Sequence, residues 1–255
     1  RNGGRAIFVE LDLDARPAEI ARALAGKQVT LLVNNAGTMG GQVGRTLRVN
    51  LCGPTALTLA LLPSLRACKG GGRIVNVGSS SHLRAADVRL SAVDASVDRS
   101  LAAYAQSKLG LMHLSLLLRD ACENEHITVC DCHPGIVWTP MLRNFYGERL
   151  CSLLQRCGAA SRLFRTPDQG AATVLCACLE PAAALTDHRM RARRRDDLKR
   201  GANYWVNCQR DSGRAASPES RDRRNALRTW RWLVDAEPIL AKLAVTAGVA
   251  SSFKQ

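Results

Sequence analysis

Apolar and polar positions along the chain follow two rhythms: short, nearly continuous apolar runs that predict strands, and longer segments with helical spacing. Ala6-Ile7-Phe8-Val9, running on to Leu11, predicts a strand, and Pro17 to Ala25 a helix opened by its proline. Val29 to Val33 predicts a strand buried on both faces, ended by Asn34-Asn35-Ala36-Gly37. Thr46 to Leu65 is helical in pattern, with Gly53-Pro54 expected to kink or break it. Gly70-Gly71-Gly72 predicts a turn into a further buried strand, Arg73 to Val77. Ala102 to Cys122 predicts the longest helix, and Ile127 to Cys130 a strand closed by His133-Pro134-Gly135. Pro140 to Leu163 reads as a mobile helical segment and Pro167 to Leu179 as a helix. Tyr204 to Val206 predicts a last strand, and Ser217-Pro218-Glu219 the N-cap and first turn of a terminal helix. Strands alternating with helices predict an α/β fold with a doubly wound parallel sheet covered on both faces.

A chain of 255 residues, 46% of them apolar, suits one globular domain. No apolar run is long enough for a membrane helix, and the start carries no signal-peptide pattern. The first residue is Arg1, a few positions ahead of a strand-like run, which reads as a chain cut within a domain and leaves a membrane anchor upstream open. The net charge of +14 raises the question of an anionic partner. Asp187 to Arg200 holds seven Lys and Arg against three Asp, and Arg210 to Arg231 adds seven more Arg. Neither stretch interleaves aromatic residues that would stack on bases, so a solvated basic tail is expected and a nucleic-acid partner is not. Peripheral contact with an anionic membrane surface is the better functional alternative. The ten cysteines, including Cys130-x-Cys132 and Cys176-x-Cys178, match no zinc spacing and no secreted disulfide framework. Several lie in apolar runs, as small buried side chains in a reducing compartment do. The five histidines show no metal spacing either, so no metal site is expected, and His82 and His133 are read as structural.

Four features carry candidate chemistry. Tyr104-x-x-x-Lys108 opens the long helix, and residues four apart share a helix face. An ammonium beside a phenol favours the phenolate and is expected to lower the tyrosine's pKa, so that it can exchange a proton with an alcohol or carbonyl oxygen. The pair alone is equally an exposed surface contact. Ser79 follows the strand that ends at Val77, where ligands bind in parallel sheets, although a strand-ending turn serine is common. Asn34-Asn35-Ala36-Gly37 ends another strand, with a small pair that lets a flat cofactor approach the backbone. His133-Pro134-Gly135, followed by Thr139, ends a third.

The order of these features resembles the short-chain dehydrogenase/reductase superfamily. The matching stretches are LLVNNAG (Leu31 to Gly37), VNLCG (Val49 to Gly53), RIVNVGS (Arg73 to Ser79), AAYAQSKL (Ala102 to Leu109) and HPGIVWT (His133 to Thr139). AYAQSKL and LFRTPDQGA (Leu163 to Ala171) are similar to the retinol-dehydrogenase-like branch and its polyprenol-dehydrogenase-like members. The resemblance implies a Rossmann-like fold, NADP or NAD as cofactor, and interconversion of an alcohol and a carbonyl on an apolar, lipid-like substrate of retinoid or polyprenoid type. It implies Tyr104 as general acid/base, with Lys108 lowering its pKa and bonding the nicotinamide ribose. Ser79 would hold the substrate oxygen, and Asn50 would anchor a water in a proton relay from Lys108. Asp12 would contact adenine. Asn34, Ala36 and Gly37 would line the cofactor, and Pro134, Gly135, Ile136, Val137 and Thr139 would face the nicotinamide. It implies the endoplasmic reticulum membrane or the cytoplasm as the location and leaves the oligomeric state open.

Two departures qualify the match. The family begins with a strand and a glycine-rich turn opening a helix, a phosphate site made of backbone N–H groups. Gly3-Gly4 is too close to the strand preceding Asp12 to be that turn. One domain over 1–255 is therefore expected, lacking its first strand-helix-strand unit, with a basic, disordered insertion at 185–200. A catalytically inactive fragment or remnant, or a basic membrane-surface binding protein, is the alternative.

Overall fold

The computed structural model describes residues 6–24, 26–40, 42–88, 99–181, 204–211 and 215–254. Four strands, β1 (Leu31–Asn34), β2 (Gly72–Val77), β3 (Ile127–His133) and β4 (Tyr204–Val206), pair in parallel in that order. A two-residue turn at Asn207-Cys208, both at positive φ, folds β5 (Gln209–Arg210) back antiparallel on β4. The helices are α1 (Pro17–Ala23), α2 (Val43–Leu47), α3 (Gly53–Arg66), α4 (Arg99–Ala121), α5 (Pro140–Tyr146), α6 (Glu148–Arg156), α7 (Ala160–Leu163), α8 (Pro167–Leu179), α9 (Arg223–Ala236) and α10 (Ile239–Thr246). This is a Rossmann-like parallel α/β sheet. Among the described residues no strand, glycine-rich turn and helix precede α1.

Strand periodicity divides the core. Leu32, Ile74, Ile127 and Val129 face α3 and α4 and join the larger cluster with Leu51, Leu62, Leu109 and Leu118. Their neighbours Val75, Val77, Cys130 and Cys132 point the other way, onto Ala177 of α8 and Trp205 of β4. Both faces of β2 and β3 are therefore covered, which explains their largely apolar runs, whereas β1 leaves Leu31 exposed.

One row across the sheet is polar. Asn34, Asn76 and Asp131 are in register on the face toward α4, and all three are buried. Asn34 Nδ2 donates to Asn76 Oδ1 at 2.7 Å and to Thr58 Oγ1 at 3.0 Å. Asn76 Nδ2 donates to Ser115 Oγ at 2.7 Å, and Ser115 donates to Asp131 Oδ1 at 2.5 Å. Arg119 closes the row as the ion-pair partner of Asp131. Despite that pair, burial wins and pushes the Asp131 carboxyl up to about 6.

Two sequence expectations are corrected here. Ala6 to Leu11 forms no strand: no strand of the sheet pairs with it, and Ile7 and Phe8 are 69% and 90% exposed. An extended run without a ladder partner leaves its backbone groups to water and gains no strand geometry. Ser217 does not cap the terminal helix. Its hydroxyl accepts Ser220 N in a separate 3₁₀ turn, Glu219–Arg221, and Asp222 caps α9 by accepting Arg224 N at 2.8 Å. A second terminal helix, α10, also follows Pro238. The basic stretch at 185–200 lies outside the described residues.

His113 of α4 pins the C-terminal segment: its Nδ1 is 2.7 Å from Thr229 Oγ1 and its Nε2 3.0 Å from Glu219 O. Burial holds His113 near 4 and His133 near 4, against an ordinary value of 6.5. Below pH 6.5 the unfolded chain takes up protons that these folded histidines refuse, so stability falls as the pH drops from 6.5 toward 4. Asp131 acts oppositely, since its raised folded value stabilises the fold as pH falls from 6 toward the ordinary 3.8. The expected outcome is that His113→Gln flattens the acid limb of urea-unfolding midpoints between pH 7 and 4.5, and that Asp131→Asn steepens it.

Candidate active site

The C-terminal ends of β1, β2 and β3 lie on one edge of the sheet and release the loops at 35–38, 78–82 and 134–139. Gly78 N donates to Cys132 O at 2.7 Å, which keeps the second and third of these loops side by side. Crevices at such strand ends are where ligands bind in open α/β sheets.

The fourth element of the site is the first third of α4. Tyr104 and Lys108 share a face, and the Lys108 Nζ is 5.6 Å from the centre of the Tyr104 ring. Lys108 is buried and donates to Val77 O, the last carbonyl of β2, at 2.8 Å. Burial lowers its ammonium to about 8. The Ser79 hydroxyl lies close enough to the Tyr104 phenol to favour its ionised form, so the structure brings Ser79, Tyr104 and Lys108 together. The expected direction of the tyrosine's pKa is corrected, however. Burial raises it, the Ser79 hydroxyl opposes that rise, and the lysine is aimed at a backbone carbonyl. Spacing shows that two side chains share a face, but not how dry that face is.

Asn50 arrives from a π-helical turn, Arg48–Cys52, between α2 and α3. Pro54 has no N–H to offer the Asn50 carbonyl four residues back, and the chain responds with an i→i−5 bond from Gly53 N to Arg48 O. Gly53 also lets the Leu13 backbone approach to where a Cβ would sit 2.6 Å from Leu13 O. Asn50 Oδ1 accepts Thr38 N at 2.8 Å, and its Nδ2 donates to Thr38 O at 2.8 Å and Ser107 Oγ at 3.0 Å. Ser107 in turn donates to Tyr104 O at 2.8 Å. Asn50 thus ties the loop after β1 to the helix that carries the tyrosine. Thr38 and Ser107 are members of this site that sequence reasoning did not single out. Ser107, three residues from Tyr104 in helical spacing, is the one a pattern search could have found.

Gly37 packs under this group: a Cβ there would lie 3.1 Å from Asn50 Oδ1 and 3.7 Å from Lys108 Nζ. That cradle and exposed Ala36 beside it leave room for a flat ring against the backbone. Asn34 sits deeper, in the buried polar row, with its Oδ1 lacking a partner. Pro134, Gly135, Ile136 and Val137 form the loop after β3, with Gly135 at φ +86 packed beneath the Arg165 side chain. Ile136 O accepts Arg165 N at 2.8 Å, and Trp138 N donates to Arg165 O at 2.8 Å. Thr139 caps α5 by accepting Leu142 N at 3.4 Å. Asp12 is exposed in the turn before α1, accepts Asp14 N at 2.8 Å, and is not part of the tyrosine cluster. The nicotinamide end of a dinucleotide therefore has a fitting cradle, whereas the described residues hold no glycine-rich helix start for its phosphates.

Among the described residues no group of three or more His, Cys, Asp or Glu could hold a metal, and no helix is long and apolar enough to cross a membrane. All ten cysteines are unpaired.

Comparison with known proteins assigns the class. The short chain dehydrogenase family matches residues 1–149, more than half of the chain, and the chain belongs to that family. Among curated relatives, human polyprenol dehydrogenase is 35% identical over 167 residues, 59% of this chain and 48% of that protein. Human dehydrogenase/reductase SDR family member 13 is 31% identical over 238 residues, 88% of this chain and 57% of that protein. The chain spans about half the length of these relatives. A crystal structure of an oxidoreductase of the short chain dehydrogenase/reductase family from Burkholderia thailandensis is 25% identical, with a TM-score of 0.54, covering 71% of this chain and 70% of that one.

A buried ammonium that folding forces toward neutrality costs stability. Lys108→Met is expected to raise stability at pH 7 by roughly 1–2 kcal/mol, the desolvation relieved less the lost bond to Val77 O. The sign can be checked against pH. Lys108 loses its proton near 8 in the folded state but at the ordinary 10.5 when unfolded, so wild-type stability rises from pH 8 to 10.5. Urea denaturation of Lys108→Met should lack that rise.

Proposed function

We propose that this chain is the catalytic part of an NAD(P)-dependent oxidoreductase that interconverts an alcohol and a carbonyl on an apolar, lipid-like substrate of retinoid or polyprenoid type. The observation that carries the reading is the Tyr104 ring with buried Lys108 5.6 Å from its centre and the Ser79 hydroxyl within reach of its phenol. The cofactor, NADP or NAD, supplies hydride when bound. Every other role falls to the chain. Tyr104 passes its phenolic proton to the carbonyl oxygen in reduction and takes it back in oxidation. Ser79 donates a hydrogen bond to the same oxygen as negative charge develops there. Lys108, whose pKa burial brings down to about 8, can pass a proton toward the phenol, and Asn50 fixes the phenol's helix through Ser107. Gly37 and the Pro134–Thr139 loop hold the ring of the cofactor between them.

The substrate class is supported by exposed apolar side chains near that edge. Leu150 and Leu153 on α6, Leu163 on α7, Ile136 in the loop after β3 and Leu83 after Ser79 are all exposed. The names of the relatives, polyprenol dehydrogenase among them, point the same way. A catalytically inactive remnant is the competing reading. Fluorescence titration with NADPH separates the two, since a remnant gives no saturable binding even when joined to the glycine-rich strand–turn–helix of a relative.

The test uses the chain joined to the strand, glycine-rich turn and helix of a relative, with retinal or a polyprenal and NADPH. Turnover is expected, and Tyr104→Phe should lower kcat by about a hundredfold or more with little change in KM. A Tyr104→Phe protein that retains wild-type turnover overturns the assignment.

A further inference from the structure

We propose that His82 is a positioning residue, a neutral imidazole strut that locks Ser79 to the C-terminal segment; the inference rests on the role given to Ser79 above. His82 is fully buried in the 3₁₀ turn Ser80–Arg84 that follows the serine. Its Nδ1 is 2.6 Å from Ser79 O. A carbonyl only accepts, so Nδ1 carries the proton. On the far side of the ring, Ser217 N donates to Nε2 at 3.2 Å, so Nε2 must hold a lone pair. The two partners together admit one state, the neutral Nδ1–H tautomer. An imidazolium would set an N–H against the Ser217 N–H and break the strut.

The ring's surroundings agree with that state. Burial lowers its pKa from 6.5, and Arg221 lowers it further, while Glu219 and the Ser79 carbonyl act in the opposite direction. His133 lies within its electrostatic reach, and Tyr204 meets the ring edge-on at 5.7 Å.

What the strut connects makes it more than a satisfied core histidine. Ser79 O also accepts His82 N, and Ser79 Oγ accepts Ser81 N, so the serine's local geometry depends on the turn that the ring anchors. Ser217 belongs to the segment whose Glu219 O is bonded by His113 of α4. One C-terminal turn therefore touches the serine loop through His82 and the tyrosine helix through His113. It sets the spacing between the two elements that supply the Ser79 and Tyr104 hydroxyls, a spacing to which turnover is steeply sensitive.

The experiment compares wild type, His82→Leu and His82→Gln in the same full chain used above, with the glutamine keeping one donor and one acceptor at its tip. In ¹⁵N-histidine spectra without substrate, wild-type His82 should be the Nδ1–H tautomer. The Ser217 amide should exchange slowly in wild type and His82→Gln but much faster in His82→Leu. With NADPH and aldehyde, kcat of His82→Leu should fall about tenfold or more while KM for NADPH stays within about twofold, and His82→Gln should recover most of the loss. The wild-type kcat should also drop at a pH below 6.5 as the ring is protonated, and that limb should be absent from His82→Gln. An Nε2–H tautomer, Ser217 exchange indifferent to His82→Leu, or exchange that changes while kcat does not would each overturn the proposal. If wild type shows no turnover, the functional reading fails by itself, and the tautomer and exchange still decide the strut. If His82→Leu does not fold, the tautomer and the acid limb of His82→Gln decide it.

Discussion

The register of α4 against β2 is the constraint on which the rest of the site depends. Two polar ties fix it, one from Lys108 Nζ to Val77 O and one from Asn76 Nδ2 to Ser115 Oγ. Lys108 and Ser115 stand two helical turns apart on one face, and their partners are consecutive residues of the strand. A slip of α4 by one residue would break both bonds and leave buried polar groups without partners, a cost of a few kcal/mol. The same slip would carry the Tyr104 phenol away from Ser79. Apolar packing alone would not exclude it, because Leu109, Leu111, Leu114, Leu117 and Leu118 offer buried carbon at neighbouring positions. The polar ties supply the uniqueness that a leucine-rich face lacks.

That arrangement sets stability against chemistry. Lys108, Asp131 and Asn34 are all buried polar groups that burial disfavours, and Asn34 Oδ1 has no partner. Part of the cost is offset by the row from Thr58 through Asn34, Asn76 and Ser115 to Asp131, which satisfies most of its own members. A core designed for stability alone would replace the row with aliphatic side chains. Here it holds three strands and two helices in one alignment, and the alignment places the strand-end loops.

Much of this was legible in the sequence. The buried runs at Arg73 and Ile127 read correctly because a strand covered on both faces leaves no polar alternation to confuse it, whereas β1, expected to be buried on both faces, leaves Leu31 40% exposed. Three of the four chemical features fell on one sheet edge because in a parallel sheet every strand end of one sense does so, and the fourth is carried there by α4. What escaped is what depends on partners distant in sequence. Ala6 to Leu11 has the composition of a strand but no strand beside it. Ser217 and Asp222 are both good N-caps by chemistry, and in the fold Ser217 caps the 3₁₀ turn while Asp222 caps α9. The tyrosine's pKa was misjudged because charge is visible in a sequence and desolvation is not. His82 could be found only by tracing both ring nitrogens to their partners.

The measurement that bears most directly on the central arrangement is the ionisation of Tyr104, followed by ultraviolet difference titration against Tyr104→Phe. The phenol should titrate above the ordinary tyrosine value in the chain and move further up in Ser79→Ala, because the serine hydroxyl opposes the effect of burial. A titration that Ser79→Ala leaves unmoved would contradict the influence of the serine hydroxyl on the phenol, and with it the assembly of serine, tyrosine and lysine into one site.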